Sequence, residues 1–287
     1  MTLTTTLPVE TPAAATTGTS YAQPPEPNLC IYRGALEALP TPTRMPSAEE
    51  GEQGMFRDGF VQFPDLFSRA EVREMRAWMD RSGEPDSAYE VKNWCFNKHL
   101  EADLTCDTAW LPVIARTPVV NVLERVLGKD FTCYGAGMWI TGQGREMNMH
   151  ADFLLLEMPG NLLAESKVRL PVFRSSLHIY LDDQVEEIGT TLVIPGSHMA
   201  GRIPHQESTW NGITPKMVSV KAGGAVLFRH DLWHGAAKNT STRRRYMIQV
   251  HYAIRWHHYP VATVSPRPLY QPAFLAQATP EQRRVLG

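Results

Sequence analysis

FTCYGAGMWITG (131–142), SSLHIYLDD (175–183), GTTLVIPGS (189–197), KMVSVKAGGAVLF (216–228) and RRYMIQVHYAIRW (244–256) follow one another through the second half of the chain. Each run is short, rich in β-branched and aromatic residues, and bounded by Gly, Pro, Asn or Asp. Short strands punctuated by turns predict an antiparallel sandwich or barrel. Upstream the period changes. SRAEVREMRAWMDRSG (68–83) has Val72, Met75 and Trp78 at helical spacing, and Ser68 with Glu71 forms a capping box at its start. Gly83 closes it. PVVNVLERVLG (118–128) reads as a second helix ended by glycine. FRDGFVQFPDLF (56–67) reads as a strand and a turn, and residues 29–54 as a loop or short helix. Helices first and strands later predict an α+β, mainly β, jelly roll with its helices packed on one face. Residues 1–28, rich in Thr, Ala and Pro, are expected to be a disordered or loosely attached leader, and 29–287 a single domain.

The totals narrow the function. The chain has 287 residues, a net charge of -2 and 43% hydrophobic residues, enough for a sizeable core. That charge balance gives no electrostatic reason to expect nucleic acid or an anionic membrane as partner. Four cysteines, at Cys30, Cys95, Cys106 and Cys133, form no CxxC pair, so neither a zinc-thiolate site nor a disulfide framework is expected. Free thiols, no secretory signal pattern and no run approaching roughly 18 apolar residues point to a cytoplasmic protein. A small-molecule partner is expected, and a homodimer is compatible with the sequence.

The chemistry sits in MNMHADFLLLEMPG (147–160) and FRHDLWHGAAKN (228–239). On a strand, residues i and i+2 share a face, so His150 and Asp152 would point one imidazole and one carboxylate the same way. A third ligand comes from the second segment, with His234 and His230 as the two choices. Two histidines and a carboxylate on one face of a metal leave positions open for a cosubstrate and dioxygen, the arrangement of non-haem iron(II) oxygenases. There is no HExxH zinc motif. A lone HxD occurs by chance in many proteins; here a turn-rich β region and a WHG segment follow it.

Five segments in order resemble the phytanoyl-CoA dioxygenase family of 2-oxoglutarate-dependent oxygenases: DGFVQFPDLFS, HAD at 150–152, HIYLDDQVEEIGTTLVIPGSH at 178–198, AGGAVLFRHDLWHGAAKNTS at 222–241, and RRRYMIQVHY at 243–252. The similarity runs from about Gly59 to about Tyr252. It implies a double-stranded β-helix (cupin-like) fold, iron(II) as cofactor, and 2-oxoglutarate and O2 as cosubstrates. It assigns His150, Asp152 and His234, rather than His230, as catalytic metal ligands. It also assigns Arg245, eleven residues after His234, to the far carboxylate of 2-oxoglutarate. A guanidinium fork suits that role, with Arg243 and Arg244 as fallbacks. If residues 243–252 form a strand, Arg243 and Arg245 share a face.

His178 stands where relatives often carry a tryptophan or polar residue beside the cosubstrate, so it is read either as a 2-oxoglutarate contact or as a core histidine. Thr191 is a further candidate for that carboxylate. Where the family often has Ser two residues after the distal histidine, this chain has Ala236. Asp152 disfavours halogenation, because halogenases of this fold replace that ligand with a small residue. Hydroxylation, desaturation and cyclisation remain open, with natural-product biosynthesis as the preferred setting.

Trp139, Gln143, Phe153 and Trp233 are candidates for the substrate pocket, with core packing the alternative for the aromatics; Met147, which with Gln143 lies just before the first histidine, is a further candidate. Residues 197–216 form a long loop carrying His205 and Trp210, read as surface decoration or a lid. His257 and His258 are given no role. The rival readings are a 2-oxoglutarate-independent cupin-type dioxygenase or isomerase, and a non-catalytic jelly-roll binding protein.

Overall fold

The computed structural model describes residues 30–81, 98–100, 108–155, 157–158, 169–256, 270 and 272–286. The leader, Gly83, Cys95, Cys106, His257 and His258 lie outside these residues.

Two sheets face each other. The larger has six strands in the order β2 (Phe60–Phe63), β9 (Ala225–Arg229), β6 (Arg174–Tyr180), β11 (Arg245–Ile254), β4 (Phe131–Thr141) and β3 (Lys98–Leu100). All its neighbours pair antiparallel. The smaller has five, in the order β1 (Glu37–Ala38), β8 (Lys216–Met217), β7 (Thr191–Val193), β10 (His234–Ala236) and β5 (Met147–His150). This is the predicted jelly roll.

The helices are α1 (Ala48–Arg57), α2 (Arg69–Arg81), α3 (Leu111–Ile114), α4 (Thr117–Leu127), α5 (Pro272–Gln277) and α6 (Pro280–Leu286). The capping box at α2 forms as expected. The Ser68 amide donates to Glu71 Oε2 at 2.7 Å, and the Glu71 amide donates to Ser68 Oγ at 3.3 Å. Ser47 and Glu50 make the same box on α1, within the stretch read as a loop or short helix.

Strand alternation decides what lies between the sheets. Leu177 and Ile179 of β6, and Ile248, Val250 and Tyr252 of β11, turn outward. There they join Met55 of α1, Val72 and Met75 of α2, and Val119 and Leu123 of α4 in the main core. Their neighbours Ser176, His178 and Tyr180, and Met247, Gln249 and His251, turn inward toward the smaller sheet. One face of the larger sheet is therefore an ordinary apolar core against helices. The other buries histidine, glutamine and serine, which costs free energy unless those groups have partners. That polar interior is the place to look for chemistry.

Apolar residues close the rest of the space. Phe60, Val193, Val218, Val226, Phe228 and Met247 pack between the sheets. Met149, Leu192, Ile194 and Trp233 cover the outer face of the smaller sheet, with Cys30, Ala200 and Trp210 over them.

Candidate metal centre

β5 and β10 pair antiparallel with His150 directly opposite His234. The glycine of the WHG segment permits this. A Cβ on Gly235 would lie 2.8 Å from the Met147 carbonyl oxygen and 2.9 Å from that of Asn148, so a side chain there would push β10 off β5. Gly235→Ala is expected to destabilise the protein by about 1–3 kcal/mol, the usual cost of overpacking. It should also weaken metal binding, because the two imidazoles separate. Thermal melting with and without metal tests this, and an unchanged melting temperature would contradict it.

The rings of His150 and His234 have their centroids 4.2 Å apart. Asp152 presents Oδ1 to both, 3.5 Å from His150 Nε2 and 3.6 Å from His234 Nε2. All three donor atoms lie within 4.8 Å of one another. The i, i+2 argument succeeded for a different reason than expected. β5 ends at His150, and Asp152 lies past it in a bend, so local backbone rather than strand alternation aims the carboxylate.

The other ring nitrogen of each histidine is tied off. His150 Nδ1 sits 2.9 Å from the Asn148 carbonyl oxygen and His234 Nδ1 3.0 Å from that of Leu232. A carbonyl only accepts, so each Nδ1 carries a hydrogen and each Nε2 faces Asp152. Burial opposes a charge on His150, but the hydrogen bond and charge of Asp152 outweigh it and raise the His150 pKa. Burial and the neighbouring His150 lower the His234 pKa to about 4, so its imidazole is neutral near pH 7. Burial works against ionisation of Asp152. The charges of His234 and His230 and the hydrogen bond from His150 outweigh it, holding the carboxyl well below its usual range.

Two imidazoles and one carboxylate converging from one side fit a divalent metal, which would take the place of the proton His150 shares with Asp152. Ligands about 2.1 Å from such an ion lie roughly 3 Å apart, close to the separations here. His234 is 4% exposed, whereas Asp152 is 23% and His150 31% exposed, so the group opens on the side of β5.

His230 belongs to a different contact. Its Nε2 bonds Ser176 Oγ at 2.7 Å and lies 3.8 Å from the second Asp152 oxygen, Oδ2. It is not part of the three-donor cluster.

At the other end of the interior, Arg245 opens β11, is 4% exposed, and donates through Nη1 to the Gly189 carbonyl oxygen. Arg243 and Arg244 are exposed in the turn before the strand. Arg243 therefore shares no strand face with Arg245, and neither is a fallback for the interior.

The Arg245 charge acts on both Tyr180 and His178, and the buried Tyr180 hydroxyl has no hydrogen-bond partner among the described residues. His178 Nε2 takes the Gln249 amide at 2.9 Å. With that nitrogen accepting, Nδ1 carries the hydrogen, and it is buried with no hydrogen-bond partner among the described residues. Burial holds the His178 pKa well below its usual value. A buried donor beside a buried guanidinium suits an incoming carboxylate.

The pocket candidates divide. Trp139 faces inward, opposite Met247 and against the cluster containing Tyr180. Phe153 follows Asp152 and lies under the Arg174 guanidinium, 4.1 Å from it. Two expectations are corrected. Gln143 is exposed in the turn between β4 and β5, its amide toward the Thr240 carbonyl. Trp233 is fully buried on the outer face of the smaller sheet, its indole donating to the Arg202 carbonyl, because residues adjacent to His234 point the opposite way. Trp210 packs in that same outer layer, and His205 pairs with Glu157 at 3.2 Å.

Tyr180, Gln249, Ser176 and His251 were not singled out from sequence. Stepping by two along β6 from His178 and along β11 from Arg245 would have found them.

A jelly roll enclosing two histidines and an aspartate, with an open side and a buried guanidinium beyond, defines the class of non-haem iron(II) oxygenases. The chain belongs to the phytanoyl-CoA dioxygenase (PhyH) family, which matches residues 55–247 and so takes in His150, Asp152, His234 and Arg245. It is thereby an iron(II)- and 2-oxoglutarate-dependent enzyme. L-Proline trans-4-hydroxylase of Streptomyces griseoviridis is 23% identical over 229 residues, covering 68% of this chain and 82% of that protein. Solved structures show the same fold. The non-heme alpha ketoglutarate dependent carbocyclase SnoK from nogalamycin biosynthesis matches with a TM-score of 0.55 at 19% identity, over 72% of this chain and 86% of that one. HygX from Streptomyces hygroscopicus, crystallised with iron bound, matches with a TM-score of 0.57 at 16% identity, over 72% and 87%. Among the described residues, no helix is long and apolar enough to cross a membrane.

Proposed function

We propose that the protein oxidises a C–H bond of a small molecule, by hydroxylation, desaturation or ring formation, and that the reaction belongs to natural-product biosynthesis. His150, Asp152 and His234 hold the iron, and Arg245, His178 and Thr191 hold 2-oxoglutarate. One observation carries this reading: three ligand atoms converge while both Nδ1 atoms are committed to backbone carbonyls. The setting is supported by relatives named for amino-acid hydroxylation and for nogalamycin biosynthesis.

Iron(II) with bound 2-oxoglutarate supplies the activation of dioxygen. The chain supplies position. Arg245 gives a rigid two-pronged donor for the far carboxylate, and the His178 Nδ1 hydrogen adds another. Ala236 removes a hydroxyl that relatives often have there. Thr191 stands directly opposite Ala236 on β7, so the hydroxyl returns from the neighbouring strand. Phe153 and Trp139 bound the space left for substrate.

Purified without oxygen, the protein should bind one iron(II) per chain and release succinate only when iron(II), 2-oxoglutarate and oxygen are all present. Iron far below one per chain would favour a non-catalytic jelly roll. Iron without measurable 2-oxoglutarate binding in calorimetry would favour the cupin-type alternative.

A further inference from the structure

Asp152 has two carboxylate oxygens, and the structure gives them different neighbours. Oδ1 faces the two ligand imidazoles at 3.5 and 3.6 Å, while Oδ2 faces His230 Nε2 at 3.8 Å. His230 is 4% exposed and anchored from three directions. Its Nε2 meets Ser176 Oγ at 2.7 Å, and Ser176 Oγ meets His251 Nδ1 at 2.8 Å. Its backbone amide donates to the Arg174 carbonyl oxygen at 3.1 Å, and its own carbonyl accepts the Phe153 amide at 3.1 Å. The bend carrying Asp152 is thus pinned to His230 through the very next residue. This matters because Asp152 lies beyond the end of β5, where the sheet no longer fixes it.

We propose that His230 is a positioning residue for the metal-binding carboxylate: its Nε2, anchored on Ser176 Oγ, stands 3.8 Å from Asp152 Oδ2 and attracts that oxygen, so that Asp152 offers the metal Oδ1 alone. The inference rests on His150, Asp152 and His234 holding the metal. A neutral imidazole has one ring hydrogen to place. A lone pair on Nε2 would face a carboxylate that can only accept, so the hydrogen belongs on Nε2, donated to Ser176 Oγ with Asp152 Oδ2 3.8 Å from the same nitrogen. Ser176 then donates onward to His251 Nδ1, and the chain of hydrogen bonds runs in one direction. His251 is braced by Tyr134, whose ring stacks on it at 5.6 Å and 26°. Without this partner the carboxylate can swing to chelate through both oxygens, occupying a position the cosubstrate or oxygen needs.

The test uses cobalt(II) as probe with the full-length protein, reading affinity, visible absorption and the melting temperature of the metal-free protein. His230→Phe keeps much of the ring volume and removes the N–H that faces Asp152 Oδ2. It should weaken cobalt binding about 10- to 100-fold, the usual loss on removing an outer-sphere partner, and shift the cobalt bands as Asp152 changes denticity. Ser176→Ala should move both readouts the same way by less, and His230→Gln, which keeps a donor, should recover part of the affinity. A purely structural role would lower the melting temperature and leave affinity and spectrum alone. If His230→Phe does not fold, Ser176→Ala decides. Wild-type affinity and an unchanged spectrum in the variants that fold would overturn the proposal. Failure of the wild-type protein to bind one cobalt would instead overturn the metal-centre reading beneath it.

Discussion

Asp152→Ala should fold, bind iron(II) far more weakly than the parent, and give no succinate above the iron-free background. The fold should survive because Asp152 sits in a bend past β5, is partly exposed and packs in no apolar cluster. Its removal leaves His150 and His234 each still bonded to a backbone carbonyl. Metal binding should fail because the carboxylate is the only anionic donor in the group and the one atom near both imidazoles. Losing an outer-sphere partner already costs about 10–100-fold, so losing the anionic ligand should cost more. The effect can be read without turnover. A metal at a hundred times its Kd stabilises a folded protein by about 2.7 kcal/mol. The parent should therefore melt several degrees higher with iron(II) or cobalt(II), and Asp152→Ala should not move at the same concentration. Full succinate production by the variant would sink the assignment of this centre.

What could be read from the residues followed physical period. The strands were legible because β-branched and aromatic runs alternate with glycine and proline turns, and α2 because Ser68 and Glu71 announce its cap. The metal group was legible because the HxD and WHG segments carry ligand chemistry in a few adjacent residues. The convergence of those segments was not, because it depends on the His150–His234 register and on the space left by Gly235, which no local pattern encodes. The two pocket errors have separate causes. Trp233 was placed by nearness in sequence to His234, although adjacent strand residues face apart. Gln143 was placed by nearness to His150, although a turn separates them. The residues passed over, Tyr180, Gln249, Ser176 and His251, lie on strands whose inward face becomes visible only once the helices are seen to claim the other side.

That two-faced larger sheet explains how one interior serves two charged ligands. Helices cover one face with a continuous apolar core, so the opposite face can afford polar groups only where each finds a partner. Ser176, His230 and His251 satisfy one another beside Asp152. Gln249 satisfies one nitrogen of His178 and leaves the other directed at the interior. The polar groups are thus sorted into a set complete in itself beside the metal ligands and a set awaiting an acceptor beside Arg245.

Arg245→Met should raise the Kd for 2-oxoglutarate by roughly 30-fold to several-thousand-fold while leaving metal affinity nearly unchanged. Truncating one member of a buried, hydrogen-bonded charge pair costs about 2–5 kcal/mol, and each 1.4 kcal/mol is tenfold. The upper part of that range is expected here because Arg245 is 4% exposed, so water cannot replace the lost donors. Metal affinity should hold because Arg245 starts a strand of the larger sheet, while the ligands sit on and just beyond strands of the smaller one. Met fills much of the same volume, but the Gly189 carbonyl loses its donor, so the metal-free protein should also melt somewhat lower. Arg245→Lys keeps the charge but loses the two-pronged geometry, and should fall between parent and Met variant. Arg244→Ala, changed in the exposed turn one residue earlier, should leave both affinities alone. The informative result is the split between the two titrations. If 2-oxoglutarate binds Arg245→Met within a few-fold of the parent, the guanidinium does not hold the cosubstrate, and the cluster of His178, Tyr180 and Thr191 around it needs another explanation.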